Sequence, residues 1–153
     1  MEPTKSLMAG PEFILAALAA SKGATHSPVQ VQKLFFLLDR KLAGEVGGPY
    51  FNFTAYHYGP FDRTIYDLLE RLAEQGFVEI SSNPALRYRT YRLTPEGQRV
   101  GGTFLNQLDQ HIVDYMGKLS DFVRGLSFAE LVSAIYAAYP EMKVNSVFRE
   151  LYT

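Results

Sequence analysis

Three histidines, His26, His57 and His111, are the only imidazoles available for general-base or metal chemistry, and no two of them fall one helical turn apart. The chain has no cysteine, which removes disulfides, zinc thiolates and thiol nucleophiles together. It also lacks a Walker-type phosphate loop, a dinucleotide glycine fingerprint and a GxSxG elbow. His57, between Tyr56 and Tyr58, reads as a structural histidine, and His111 beside Asp109 as a solvated helix position. Carboxylate pairs such as Asp67/Glu70 and Glu70/Glu74 share the polar face of one helix, where water keeps their acidity ordinary. The single enzyme-like grouping is His57 with Asp62 or Arg63 beside Gly59-Pro60. Catalysis, a cofactor and a metal are therefore not expected.

Binding chemistry is better represented. The stretch Leu86-Arg87-Tyr88-Arg89-Thr90-Tyr91-Arg92-Leu93 interleaves arginine with tyrosine. A strand here places Arg87 and Arg89 on one face and Tyr88 and Arg92 on the other, with Tyr88 and Tyr91 at the surface. Together with Arg99, four arginines stand against Glu96, a composition suited to phosphate contact or minor-groove insertion. The same hairpin read without function is exposed and pairs its arginines with a neighbouring acidic helix. That helix runs from 61 to 75, and its acids Asp62, Asp67, Glu70 and Glu74 outnumber Arg63 and Arg71. A net-negative face is repelled by a major groove, so Arg63, Asp67, Glu70 and Glu74 suit contact with another protein. The aromatic cluster of Tyr50, Phe51, Phe53, Tyr56, Tyr58 and Phe61 reads as core rather than as a platform for bases.

The elements that must position these residues follow from periodicity and capping. The chain has 153 residues, a mass of 17.2 kDa, 47% hydrophobic residues and a net charge of -1. Such a chain forms one folded domain with no bulk attraction to nucleic acid or membrane. Residues 1–10 read as a flexible leader and 11–153 as the domain. The apolar run 13–20 is too short and too weakly flanked by cations for a secretory signal, and reads as the first amphipathic helix of a cytoplasmic protein. Ser27-Pro28 opens a second, nearly buried helix that ends at Gly44 to Pro49. A strand over 50–58 follows and is broken by Gly59-Pro60; then come the helix 61–75 and two strands over 77–80 and 86–93. Thr94-Pro95 starts a helix continuing to Met116, and Ser127-Phe128-Ala129-Glu130 is a capping box for another to about Tyr139. A short helix from Asn145 closes the chain. The fold class expected is α+β, mainly helical and winged-helix-like, with the hairpin at about 77–93 as the wing and 94–153 as a helical extension.

Three segments carry a family resemblance. Gln32-Lys33-Leu34-Phe35-Phe36-Leu37-Leu38-Asp39, Tyr56-His57-Tyr58-Gly59-Pro60-Phe61 and Ile65-Tyr66-Asp67-Leu68-Leu69 resemble the signature of the Panacea (SocA-like) antitoxin domain, in which a "QKLLYF" helix precedes a "YGP" turn. Phe77-Val78-Glu79-Ile80, Tyr91-Arg92-Leu93-Thr94-Pro95-Glu96-Gly97 and Ala138-Tyr139-Pro140-Glu141 are closer still to the YwgA-like proteins. The resemblance spans about residues 11–150. It implies a small bacterial or phage protein that recognises a protein partner or DNA: Panacea domains neutralise toxins or act as adaptors for proteolysis. Tyr58, Gly59 and Pro60 also have an architectural use, since glycine permits a turn, proline fixes the helix entry, and Tyr58 can pack on Phe35 or Phe36. Two expectations follow. The first is a non-catalytic interaction module of antitoxin or adaptor type; the second is a DNA-binding regulator, dimeric through the 94–116 helix, that uses Arg87, Arg89, Tyr88, Arg92 and Arg99, with Lys33 or Arg63 in support.

Overall fold

The computed structural model describes residues 8–82, 84–85 and 88–148. Six α-helices and two antiparallel two-stranded hairpins make up this part. The first helix, α1 (Gly10–Ala20), starts with Pro11 in its first turn, and the Glu12 carboxylate accepts the Ala9 N–H at 2.8 Å. Every residue from Phe13 to Ala20 is buried. It is thus apolar all round rather than amphipathic, because α3, α4, α5 and the second hairpin surround it.

Helix α2 (Pro28–Val46) begins at a capping box in which Ser27 Oγ accepts the Gln30 N–H and the Gln30 side chain accepts the Ser27 N–H. Gly47, at φ +81°, ends it. The segment 50–53 then returns across α1 and α2. Tyr50 stacks on Phe13 at 4.6 Å, Phe51 meets Phe35 edge-on at 5.8 Å, and Phe53 meets Phe36 at 5.4 Å.

The expected strand over 50–58 is shorter and has a partner. Strands β1 (Thr54–Tyr56) and β2 (Gly59–Phe61) pair antiparallel, Tyr56 opposite Gly59 and Thr54 opposite Phe61. Gly59-Pro60 therefore forms a strand rather than breaking one. Gly59, at φ +103°, closes the two-residue turn. Pro60 stands opposite Ala55 with its missing donor turned away from β1, where the ladder does not need it.

Asp62 caps α3 (Arg63–Glu74) by accepting the Thr64 N–H at 2.9 Å, and α3 buries Ile65, Leu69 and Leu72. Strands β3 (Val78–Ser82) and β4 (Arg89–Leu93) form the second hairpin, with Ile80 opposite Tyr91. Tyr91 also exchanges both backbone hydrogen bonds with His26 at 2.9 Å, which ties β4 to the α1–α2 connection.

The single helix expected over 94–116 is two helices, α4 (Pro95–Leu105) and α5 (Gln110–Gly125). The polar run Asn106-Gln107 and an extended Asp109 break it, and α5 turns back to pack on α1 and α2. Helix α6 (Phe128–Ala138) starts at the Ser127/Glu130 capping box. A 3₁₀ turn over Pro140–Lys143 follows, and no helix starts at Asn145 within the described residues. No helix here is long and apolar enough to cross a membrane.

Candidate functional site

The described arginines of the basic segment do not stand free. Arg89 pairs with Glu70 of α3 at 3.0 Å, Arg92 with Glu79 of β3 at 2.6 Å, and Arg99 with Glu96 through two nitrogens. Arg63 and Asp67 lie 3.9 Å apart on α3, while Glu74 is exposed at its end. Arg87 lies outside the described residues. Exposed pairs like these add little stability, but each places a carboxylate beside a cation and flattens the positive field. Tyr88 is exposed as expected. Tyr91 is not: it is buried and stacked near Tyr66, because it shares the inward face of β4 with Leu93.

The "QKL" and "YGP" segments meet through polar side chains buried in α2. Gln32 accepts the Asp62 N–H at 2.9 Å and donates to the Asp62 carbonyl at 3.0 Å. The Asp39 carboxylate accepts the N–H groups of Tyr50 and Phe51; burial raises its pKa, against the pull of those bonds. Lys33, only 3% exposed, donates to the Pro60 carbonyl at 3.3 Å. Burial without a carboxylate pushes its pKa down to about 7. Lys33 is therefore a prop under the β1–β2 turn and has no route to a phosphate. Gly59 completes this contact, since a Cβ there would come 3.4 Å from Tyr136 and 3.6 Å from Lys33. Tyr58 does not pack on Phe35 or Phe36; it is exposed and meets Phe128 of α6 at 5.2 Å. His57 is exposed too, stacked on Tyr56 at 4.2 Å, and is not a buried structural histidine.

The buried histidine is His26. Its Nε2 lies 3.0 Å from Ser120 Oγ on α5, and Arg124 Nε donates to the same oxygen at 3.1 Å. A histidine beside a serine suggests a nucleophile and its base, but both residues are 0% exposed, so the pair positions β4 against α5. Burial, and then the Arg124 charge, lower the His26 pKa to about 4. Between pH 6.5 and 4 the unfolded chain binds a proton that the folded chain refuses, so stability falls with pH across that window. Below it both states are protonated and the loss stops. Relative to His26→Gln, which keeps an amide for Ser120 and cannot titrate, the wild type loses about 3 kcal/mol more over this range. Urea titrations of both proteins at the two pH values measure this difference.

A cleft of about 530 Å³ opens where the second hairpin approaches the starts of α2 and α6. Pro28, Val29, Leu126, Phe128 and Leu131 make its apolar wall, with Tyr88 and Thr90 from the hairpin and Thr25, Ser27 and Gln30 at its rim. None of these described lining residues carries a charge. Tyr88 and Phe128, 47% and 44% exposed, put two large rings on the cleft, and the exposed Tyr58 packs edge-on against Phe128. No protein-family model matches the chain, and a search of curated proteins returned no match.

Only Tyr88 and Tyr58 of this group were singled out by the sequence. Phe128 and Leu131 sit in a helix that the sequence marks only by its capping box, and contact with Tyr58 across 70 residues has no local signal. The acidic face of α3 and the arginines are brought together at the Arg89–Glu70 pair, on the face of β4 that carries Tyr91.

Proposed function

We propose that the protein is a non-catalytic protein-interaction module, of antitoxin or regulatory-adaptor type, built on a winged-helix-like arrangement in which β3 and β4 form the wing. The observation that carries this reading is the uncharged, aromatic-rimmed cleft between β4, α2 and α6. Exposed rings around an apolar depression are the composition of protein-binding hot spots, where aromatic side chains supply most of the affinity. A DNA-binding role through Arg89, Arg92 and Arg99 ranks second because each cation already has its carboxylate.

Affinity capture from the host, followed by purification of what is captured, tests the proposal. Phe128→Glu and Tyr88→Glu are exposed and fold normally, and each weakens the complex about tenfold or more. Capture of nothing, or of a partner indifferent to both changes, contradicts it. DNA binding that loses about one unit of salt slope per arginine removed favours the regulator instead.

A further inference from the structure

Among the described residues, strand β4 has an unpaired backbone edge at Arg89, beside the cleft. Tyr91 directs its N–H and C=O to His26, away from β3. Backbone groups alternate along a strand, so Arg89 directs its own pair to the same outer edge. Phe77, opposite Thr94, accepts the Thr94 N–H at 3.0 Å, which sets the same alternation from the other end of the ladder. Continuing the antiparallel track from His26 brings Pro28 opposite Arg89. Pro28 has no N–H to give, and the chain has already turned into α2. Among the described residues no backbone hydrogen bond reaches Arg89 on this edge. Its neighbours Tyr88 and Thr90 line the cleft, together with Pro28, the residue that stands opposite Arg89.

We infer that this edge is a strand-addition site: an extended, uncharged segment of the partner pairs its backbone with Arg89 and places an apolar side chain between Val29, Leu126 and Leu131. The inference rests on the protein-interaction reading above and specifies how the partner is held. Charge selects the occupant, because the described lining offers no lysine or arginine to a phosphodiester and no carboxylate to a basic peptide. Backbone pairing supplies affinity without sequence, and the apolar wall selects the side chain.

The probe is a panel of capped, uncharged octapeptides alternating threonine with leucine, valine or phenylalanine, titrated into the ¹⁵N-labelled full chain. Binding shifts amides at 25–30, 88–91 and 126–131. Leu131→Glu weakens it about a hundredfold. Arg89→Pro removes only the outward N–H at the first residue of β4 and weakens it about tenfold, whereas Arg89→Ala keeps the N–H and the affinity. Peptides N-methylated at alternate amides repeat the loss without altering the protein, so a misfolded variant leaves the test intact. Equal binding of Arg89→Pro and of the methylated peptides overturns the inference, as do shifts elsewhere, or dimerisation of the chain through these residues. If no peptide binds while the captured partner is still lost by Phe128→Glu, strand addition falls and the interaction reading stands. If that partner ignores Phe128→Glu, the reading itself falls.

Discussion

Gly101→Ala costs about 3 kcal/mol or more of stability, while Gly102→Ala, one residue on, gains up to about 1 kcal/mol. A Cβ on Gly101 would lie 2.4 Å from the Leu15 carbonyl oxygen and 2.8 Å from Ala19 Cβ. Both belong to α1, so the clash is with a helix backbone that no rotamer can move. Helices α1 and α4 pack so closely here that the interface must open to admit a single methyl group. Gly102 faces open space, and there alanine simply removes the conformational freedom of glycine from the unfolded chain. Chemical denaturation of the two variants reads both signs in one experiment. A Gly101→Ala variant as stable as the wild type, or no difference between the two variants, would mean that α4 does not rest on α1 at this point.

Lys33→Met raises stability at pH 7 by about 2–4 kcal/mol. The folded chain holds the Lys33 amine at a pKa of about 7 against 10.5 in the free side chain, and a shift of that size costs about 5 kcal/mol. Methionine keeps the length and shape but leaves the Pro60 carbonyl without its donor, which returns about 1–3 kcal/mol of the gain. The sign with pH follows from which state holds the proton. Between about 7 and 10.5 the unfolded chain is protonated and the folded chain is not, so wild-type stability climbs with pH, and below 7 the penalty is constant. From pH 7 to 9 the climb from Lys33 is about 2 kcal/mol, and in Lys33→Met it disappears. Urea unfolding at these two pH values decides the matter; a variant less stable than wild type at pH 7 would show that the amine is charged and paired.

The punctuation of the fold was legible because it is local chemistry. Ser27-Pro28, Thr94-Pro95 and Ser127 with Glu130 each start a helix where the capping rules put it. The mainly helical α+β class followed from those starts and from the strand segments at 50–58, 77–80 and 86–93. What the sequence concealed depends on distant partners. Gly59-Pro60 looks like a breaker, and becomes a strand only because β1 lies opposite and Lys33 donates to the Pro60 carbonyl. Gly101 looks like a weak point in a helix and is a contact point instead. Charged residues read as surface, which hid Lys33. A signal was present, since Val31 to Leu38 is apolar on every side of α2 and leaves Gln32 and Lys33 no solvent face.

For the site, the same limit applied. Tyr88 and Tyr58 could be nominated from composition, but the cleft arises where β4, α2 and α6 converge, and α6 joins only through long-range packing. The arginines were seen without Glu70 and Glu79, the carboxylates that answer them across α3 and β3.

In the proposed complex the partner sits in this cleft and not on the arginine side chains of the basic hairpin. Amide hydrogen exchange of the purified complex against the free chain tests it most directly. Protection gained at residues 25–30, 88–90 and 126–131 is the result predicted. Protection confined to the segment around Arg92 and Arg99, appearing with DNA and vanishing with salt, would contradict it.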